Sequence, residues 1–248
     1  MTIDEANETC DSILGGRVRV IQPRKGYRFS VDALLLARFV HSGARDRVLE
    51  LGAGSGVISI IVAALHNPRE VVALEIDPTL AAMVRRSAEL NGLGSIRAIV
   101  ADLRERRIYG IAANSFDLVI ANPPYRAIAA GRESPIPARR AARSEAEGTL
   151  EDFVAAAARY ARHRGAVGFV FLAERSAELI AAMRARRLEP KRIRFVHPRA
   201  GRPATMILVE ARKGGWIGVE VEPPLILYAR ERVYTDEARE ILDAPEHR

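Results

Sequence analysis

Short apolar runs alternate with amphipathic stretches along most of the chain, and this alternation predicts strands and helices in turn. The expected strands are residues 18–22, 47–51, 71–76, 96–100, 116–121, 166–172 and 192–196. The expected helices are residues 31–41, 57–66, 78–91, 150–164 and 175–187. Strands that alternate with helices of this length predict an α/β fold, in which a mostly parallel sheet is covered by helices on both faces.

After residue 204 the pattern changes to consecutive strand-like segments at 205–211, 217–221 and 225–228. Consecutive strands are typical of antiparallel pairing, so we expect antiparallel strands added at the edge of the sheet. Three regions follow from the whole pattern. They are an N-terminal extension of strand and helix that packs on the main domain (1–46), the α/β domain itself (47–212) and a C-terminal β extension with its tail (213–248).

Residues 126–148 interrupt the alternation. The stretch holds two glycines, two prolines and five arginines, with little apolar periodicity. A segment of this composition is expected to form a long mobile loop, and long loops in compact domains are often functional.

A glycine-rich segment joins the strand at 47–51 to the next helix. Gly52, Gly54 and Gly56 alternate behind the acidic Glu50. Ligands of doubly wound sheets bind beyond the carboxyl ends of the strands, where glycines let the backbone approach the ligand closely. At the end of the next strand, Glu75, followed by Ile76, is placed to accept hydrogen bonds from a ribose diol.

The spacing of these glycines separates two kinds of cofactor site. Dinucleotide sites prefer G-x-G-x-x-G, which feeds a pyrophosphate to the helix N-terminus. S-adenosyl-L-methionine has no pyrophosphate, and a carboxylate at the strand end suits its amino-acid end and its sulfonium. Residues 50–56 therefore resemble the first motif of the class I methyltransferases. A nucleotide-binding dehydrogenase and a purely structural turn are the alternatives.

The third strand of the predicted sheet ends at Asp102-Leu103. In the resembled fold, an acidic residue here accepts a hydrogen bond from the adenine amine of the cofactor, and an apolar neighbour packs on the ring. Asp102 could instead only cap the segment that follows.

Asn122-Pro123-Pro124-Tyr125 follows the apolar strand at 116–121. Two prolines fix φ at consecutive residues and prevent the segment from continuing as a strand or as a helix. The Asn122 side chain and the carbonyl after it should therefore be held rigidly. An exocyclic amine on a planar ring is a poor nucleophile because its lone pair is delocalised. If its hydrogens are donated to Asn122 and to the Pro123 carbonyl, the lone pair can aim at a methyl group, which can lower the barrier by roughly several kcal/mol.

Tyr125 adds a ring on which a base can stack. The tetrapeptide resembles the fourth motif of the amino-methyltransferases, which act on adenine, cytosine, guanine or glutamine amides. A tight turn without chemistry is the alternative.

The composition of the chain limits the kinds of partner that it could bind. The 248 residues include 38 Lys and Arg and 31 Asp and Glu, and the formal charge of +7 favours a polyanion such as nucleic acid. The excess is nearly all arginine, which genome base composition can also produce. One cysteine and five scattered histidines predict neither a disulfide nor a metal site. The chain lacks an apolar run of membrane-spanning length and an export signal, so we expect a cytoplasmic protein without a membrane partner.

Residues 25–37 are similar to the segment before the first motif in bacterial tRNA (adenine-N(6)) methyltransferases of the methyltransferase small-domain type, which modify the adenine 3′ of the anticodon in a valine tRNA. The resemblance covers about residues 17–235. It implies a Rossmann-like, seven-stranded class I methyltransferase fold, S-adenosyl-L-methionine as cofactor and tRNA as partner. It also implies that Phe29 and Asp32 lie beside the cofactor, although capping and core packing explain residues 30–36 equally well.

The expected substrate contacts are arginines. Adenine in paired RNA cannot reach such a site, so the target must be in a loop or be flipped out. Arginines in two regions could hold the phosphates. They are Arg126, Arg132, Arg139, Arg140 and Arg143 in the long loop, and Arg184, Arg186, Arg187, Arg192, Arg194, Arg199 and Arg202 near the far end of the sheet. Ser144 stands where the resembled group usually has histidine, which bears on the substrate more than on the reaction.

Three other functions stay open. A glutamine methyltransferase of a translation release factor shares the Asn-Pro-Pro-Tyr motif, but such proteins carry a sizeable N-terminal helical domain, and about 46 residues precede the strand at 47–51. Methyltransferases of a guanine amine in ribosomal RNA more often have a duplicated domain and Phe at the fourth motif position. A noncatalytic RNA-binding module would not need the intact motif at 122–125. The sequence does not decide the oligomeric state.

Overall fold

The computed structural model describes residues 3–25, 28–125 and 148–242. Its strands are β1 (Glu8–Ile13), β2 (Val18–Pro23), β3 (Arg47–Leu51), β4 (Glu70–Glu75), β5 (Ile96–Val100), β6 (Phe116–Ala121), β7 (Ala161–Leu172), β8 (Leu188–His197), β9 (Met206–Lys213), β10 (Glu220–Val221), β11 (Leu225–Ile226), β12 (Tyr228–Arg230) and β13 (Val233–Tyr234). Its helices are α1 (Val31–Phe39), α2 (Val57–His66), α3 (Pro78–Leu90), α4 (Leu150–Tyr160), α5 (Ser176–Ala185) and α6 (Asp236–Leu242).

The central sheet has the strand order β10-β8-β9-β7-β6-β3-β4-β5, and β11 also pairs with β8. Strands β5, β4, β3, β6 and β7 are parallel neighbours, so their carboxyl ends lie at one edge of the sheet. Two core clusters cover the two faces, one built with α1 and α2 and the other with α4 and α5. The predicted α/β class, with a mostly parallel sheet between helices, is confirmed.

Alternate residues of one central strand enter different clusters. In β3, Val48 belongs to the cluster with α1 and α2, and Leu49 belongs to the cluster with α4 and α5. Successive side chains of a strand point to opposite faces, so a strand buried on both faces must be apolar at nearly every position. This geometry is why short apolar runs predicted the strands.

The N-terminal part forms a hairpin in which β1 pairs antiparallel with β2. Only β2 was predicted, because residues 8–13 are mostly polar. The hairpin rests on α3: the Ile21 amide donates to Ser87 Oγ (2.9 Å), and Arg86 forms an ion pair with the buried Glu8. These contacts with α3 fix the position of a strand that its own hydrophobicity does not specify.

The C-terminal strands differ from the prediction in position and direction. The antiparallel strand predicted at 205–211 exists as β9, but it lies inside the sheet between β7 and β8. Residues 207–211 are all buried, which suits an interior position better than an edge. The segments predicted at 217–221 and 225–228 contribute the short strands β10 and β11, and both run parallel to β8. The prediction of antiparallel edge strands there is wrong.

The helix predicted at 150–164 ends at Tyr160, because β7 begins directly at Ala161, which pairs with Phe116. Within the described ranges, no helix has both the length and the apolarity needed to cross a membrane. The same ranges contain no group of three or more His, Cys, Asp or Glu side chains that could hold a metal ion.

Candidate active site

A cavity of about 200 Å³ lies at the carboxyl edge of the sheet, over the ends of β3, β4, β5 and β6. The loops after these four strands and the first turns of α1 and α4 form its walls. Nearly every described residue that the sequence assigned to the cofactor or to the catalytic motif lines it. These residues are Phe29, Asp32, Glu50, Gly52, Gly54, Glu75, Ile76, Asp102, Leu103, Asn122, Pro123, Pro124 and Tyr125.

The three glycines after β3 have different roles in the geometry. Gly52 and Gly54 have φ of 64° and 56° and line the cavity. Gly56 does not line it. Gly56 begins α2 with φ of 82°, and a Cβ there would lie 2.8 Å from a Val84 methyl group. A glycine is required at this position because α2 packs closely on α3.

Glu50 is buried at the end of β3, where 2% of the residue is exposed. Its Oε2 accepts hydrogen bonds from the Ser59 amide (2.8 Å) and from Ser59 Oγ. Burial raises the pKa of Glu50 to about 8, because desolvation outweighs the two bonds from Ser59. Burial therefore favours the protonated carboxyl, whereas a positive group beside it would favour the carboxylate.

Glu75 joins two loops of the cavity wall. Its Oε2 accepts from the Gly54 amide (2.7 Å), and its Oε1 accepts from the Asp77 amide (2.9 Å). Burial raises the pKa of Glu75 above its usual range. A carboxylate has about four acceptor positions, so Glu75 can brace the glycine loop and still accept from a ligand.

The Asp102 side chain caps the turn that follows it, which was the alternative to cofactor binding, and it also lines the cavity. It accepts from the amide and from Nε of Arg104, both at 2.9 Å, and this guanidinium lowers the pKa of Asp102. Leu103 beside it is buried. The turn after β5 thus places one acidic and one apolar side chain at the same wall.

Asp32 contacts the corner formed by residues 122–125. This buried side chain accepts a hydrogen bond from Asn122 Nδ2 (3.3 Å) and another from the Tyr125 hydroxyl. Because the amide nitrogen of Asn122 faces Asp32, its Oδ1 is left as an acceptor. The Tyr125 ring also meets Phe171 edge to face, with centroids 6.0 Å apart. The first turn of α1 therefore holds the proline-containing corner through two hydrogen bonds.

Sequence reasoning missed this support and part of the wall. It placed Asp32 near the cofactor but gave it no partner in the corner, since 90 positions separate Asp32 from Asn122. It also missed Phe153, whose ring stands 3.0 Å from the position of a Cβ on Gly52. The available signal for Phe153 was Thr149, which forms a reciprocal capping box with Asp152 and begins α4 beside the cavity.

The predicted RNA contacts are only partly visible. Arg126, Arg132, Arg139, Arg140 and Arg143 lie outside the described residues. Of the predicted arginines near the far end of the sheet, three form ion pairs with glutamates, and these are Arg184, Arg192 and Arg194. Arg199 and Arg202 are exposed.

Comparison with known proteins agrees with this geometry. The family model of the methyltransferase small domain matches residues 30–185. The tRNA1(Val) (adenine(37)-N6)-methyltransferase of Aeromonas hydrophila is 25% identical over 215 residues, which are 86% of this chain and 87% of that protein. The release factor glutamine methyltransferase of Bordetella pertussis is 31% identical over 59% of this chain and 54% of its own length.

Among solved structures, a predicted O-methyltransferase from Agrobacterium tumefaciens superposes with a TM-score of 0.70 at 28% identity. The match covers 86% of this chain and 95% of that one. The matched family segment runs from the first turn of α1, through all four strand ends that form the cavity, to the end of α5. The chain belongs to the methyltransferase small domain family.

Proposed function

We propose that this methyltransferase transfers a methyl group from S-adenosyl-L-methionine to the exocyclic N6 amine of an adenine in tRNA. The observation that carries the proposal is the position of Asn122, which lines the cavity with its amide nitrogen bound to the buried Asp32. An amide held in this way offers a fixed oxygen acceptor to an NH2 group.

The residues of the cavity fit the cofactor. Glu50 and Glu75 are buried carboxyl groups, suited to a cationic amino-acid end and to a ribose diol respectively. Asp102, Leu103 and Ile76 provide an acceptor and two apolar surfaces for an adenine ring. When bound, S-adenosyl-L-methionine supplies an electrophilic methyl group on its sulfonium.

The corner at residues 122–125 would act on the amine. Asn122 Oδ1 and the Pro123 carbonyl accept its two hydrogens, so the nitrogen becomes more tetrahedral and its lone pair points out of the ring plane. Rigid positioning of this kind can supply roughly several kcal/mol of barrier lowering. The corner needs no strong base, since the nitrogen becomes acidic once it is methylated and its proton can pass to water.

Adenine in tRNA is supported over the other amines by the extent of similarity. The relative from Aeromonas hydrophila, named for adenine 37 of a valine tRNA, matches 86% of this chain. The relative named for a release factor glutamine matches 59%. The net charge of +7 also favours a polyanionic substrate. A glutamine amide stays the second candidate, because it too presents an NH2 group to such a corner.

The test is to incubate the protein with labelled S-adenosyl-L-methionine and either total bacterial tRNA or total bacterial protein. Nucleoside mass spectrometry should find N6-methyladenosine in the tRNA. Asn122→Ala should reduce the label to background and leave the cofactor Kd within about threefold, since the lost side chain supplies an acceptor for the substrate amine and one hydrogen bond to Asp32. Full activity of Asn122→Ala would overturn the mechanism. Label found only in the protein sample would overturn the proposal that tRNA is the substrate.

A further inference from the structure

A second concave surface lies beyond the end of β8. It is an open groove of about 400 Å³. The β12–β13 hairpin forms one side of it, and the turn after β8 forms the other. The residues that line the groove are Arg199, Tyr228, Glu231, Arg232 and Tyr234.

The hairpin is fixed to the end of β8 through its backbone. The Leu227 amide donates to the His197 carbonyl (2.9 Å), and the Tyr228 amide donates to the Pro198 carbonyl (3.0 Å). Tyr228 and Tyr234 face each other in the hairpin register, and both rings pack partly on the core. The groove is therefore a preformed part of the fold.

Tyr228 and Tyr234 stack on each other, with ring centroids 5.0 Å apart and an interplanar angle of 17°. Both residues are only partly buried. Unpaired RNA bases are commonly bound by stacking on aromatic side chains, which contributes about 1–3 kcal/mol per base. A rigid aromatic pair at an open groove fits a planar base.

Arg199 and Arg232 line the groove with this pair, and both are exposed, as are Arg202 in the turn after β8 and Arg230 in the hairpin. Within the part of the chain that the structure describes, none of the four forms an ion pair, whereas Arg192 is neutralised by glutamates. The lining contains one acidic side chain, that of Glu231, against two arginines. The groove thus carries an excess of positive charge, which favours phosphates.

The groove and the cavity lie on the same edge of the sheet. The register Ala121–Phe169–Val209–Ile193 aligns the end of β6 with a point four residues before the end of β8. Three strand spacings across and four residues along correspond to about 20 Å. An RNA whose target base reaches the cavity can therefore reach the groove with neighbouring nucleotides.

We propose that this groove is a second RNA-contact surface, in which Tyr228 and Tyr234 stack an unpaired base of the substrate while Arg199 and Arg232 hold its phosphates. The inference rests on the proposed function, because it takes the substrate to be RNA. An acidic polypeptide would be attracted by the arginines alone and would gain nothing comparable from the stacked rings.

The first test compares two double variants that remove equal charge. Arg199→Gln/Arg232→Gln changes the groove. Arg45→Gln/Arg69→Gln is the control, because these exposed arginines precede β3 and β4 at the opposite edge of the sheet. Binding to an in vitro transcript of a bacterial valine tRNA is measured between 50 and 200 mM salt (about a fourfold range).

The groove variant should bind the transcript about tenfold more weakly, with the slope of log K against log salt reduced by roughly 1.5. The control variant should stay within about twofold of the wild type, and both variants should keep the cofactor Kd. Equal RNA affinity and slope in the groove variant and the wild type would overturn the inference. Competition by polyglutamate as strong as that by RNA would also overturn it.

The second test is photo-crosslinking of the wild-type protein to the same transcript, followed by peptide mass spectrometry. A crosslink on Tyr228 or Tyr234 is expected, and RNA crosslinks found only elsewhere would overturn the stacking role. The tests distinguish failure of the proposed function from failure of this inference. A transcript that binds and crosslinks at the groove without being methylated refutes the proposed reaction but supports the RNA-contact surface. A wild-type protein that binds no RNA refutes both.

Discussion

Asp32 accepts hydrogen bonds from both Asn122 and Tyr125, so one buried carboxyl orients two residues of the proposed catalytic corner. The orientation of Asn122 therefore depends on a residue of α1 that precedes it by 90 positions.

Asp32→Asn should lower the methyl-transfer rate constant by about 10- to 100-fold, because an amide has one acceptor oxygen where the carboxyl of Asp32 uses two, one of them for Asn122. Single-turnover kinetics and cofactor titration separate this effect from cofactor binding, whose Kd should change much less. Ser30→Ala is the control, since it removes another partner of Asp32 without touching the corner. A large change in cofactor Kd with an unchanged rate constant would place Asp32 in cofactor binding instead.

The raised pKa of Glu50 predicts that the free energy of unfolding depends on pH. Its pKa rises from 4.5 to about 8 on folding, so between these values the unfolded chain has lost a proton that the native protein keeps. Because the native state binds more protons in this window, the free energy of unfolding should fall as pH rises, by up to about 1.4 kcal/mol per pH unit. The contribution is fully present below the unfolded pKa.

Urea unfolding of the cofactor-free protein at several pH values between these two limits checks this expectation. Glu50→Gln should flatten the dependence, since its amide does not titrate and can still accept from Ser59. Glu89→Gln, at an exposed position of α3, is the matched control and should keep the wild-type dependence. Identical pH profiles for Glu50→Gln and the wild type would show that Glu50 is ionised in the native protein.

Among the elements, the junction of α2 and α3 is set by one glycine. Gly56 combines a left-handed φ of 82° with a Cβ position 2.8 Å from Val84. A side chain there would meet both backbone strain and a steric contact. The loop that lines the cavity leads directly into this junction, so the packing of the two helices also positions the loop.

Gly56→Ala should destabilise the protein by about 1–3 kcal/mol from backbone strain alone, and by more through Val84. Gly92→Ala isolates the first effect, because Gly92 also has a positive φ (67°) but no atom within 4 Å of its added Cβ. Denaturant unfolding should show a larger loss for Gly56→Ala than for Gly92→Ala. Equal losses would mean that the Val84 contact relaxes freely.

The elements that the sequence predicted well are those buried on both faces. The positions of β3, β4 and β6 follow from predominantly apolar runs, which few other structures can accommodate. Strand β5, at the edge of the sheet, is only partly buried and was found from its β-branched residues. Strand β1 and the order of β7, β8 and β9 were not predictable in this way. Contacts between segments that are distant in sequence determine which strands pair. The apolar pattern of one strand therefore does not predict which strand lies beside it.

At the scale of the whole molecule, four strand ends bring the predicted site together. The parallel sheet places the ends of β3, β4, β5 and β6 at one edge, so residues spread from 50 to 125 line one cavity. The fold class and the methyltransferase assignment made from these motifs are confirmed. The division into three regions and the roles of the individual site residues stay predictions, as does the cytoplasmic location.

The sequence by itself determined the succession of strands and helices from β2 to β8, the glycine loop and the Asn-Pro-Pro-Tyr corner, because backbone freedom, proline rigidity and apolar periodicity are local properties. Only the tertiary structure decided that Asp32 supports Asn122, that Phe153 closes the wall beside Gly52, and that Tyr228 and Tyr234 stack beyond β8. Each of these contacts joins segments whose approach depends on the packing of the whole sheet, and no short stretch of sequence contains that information.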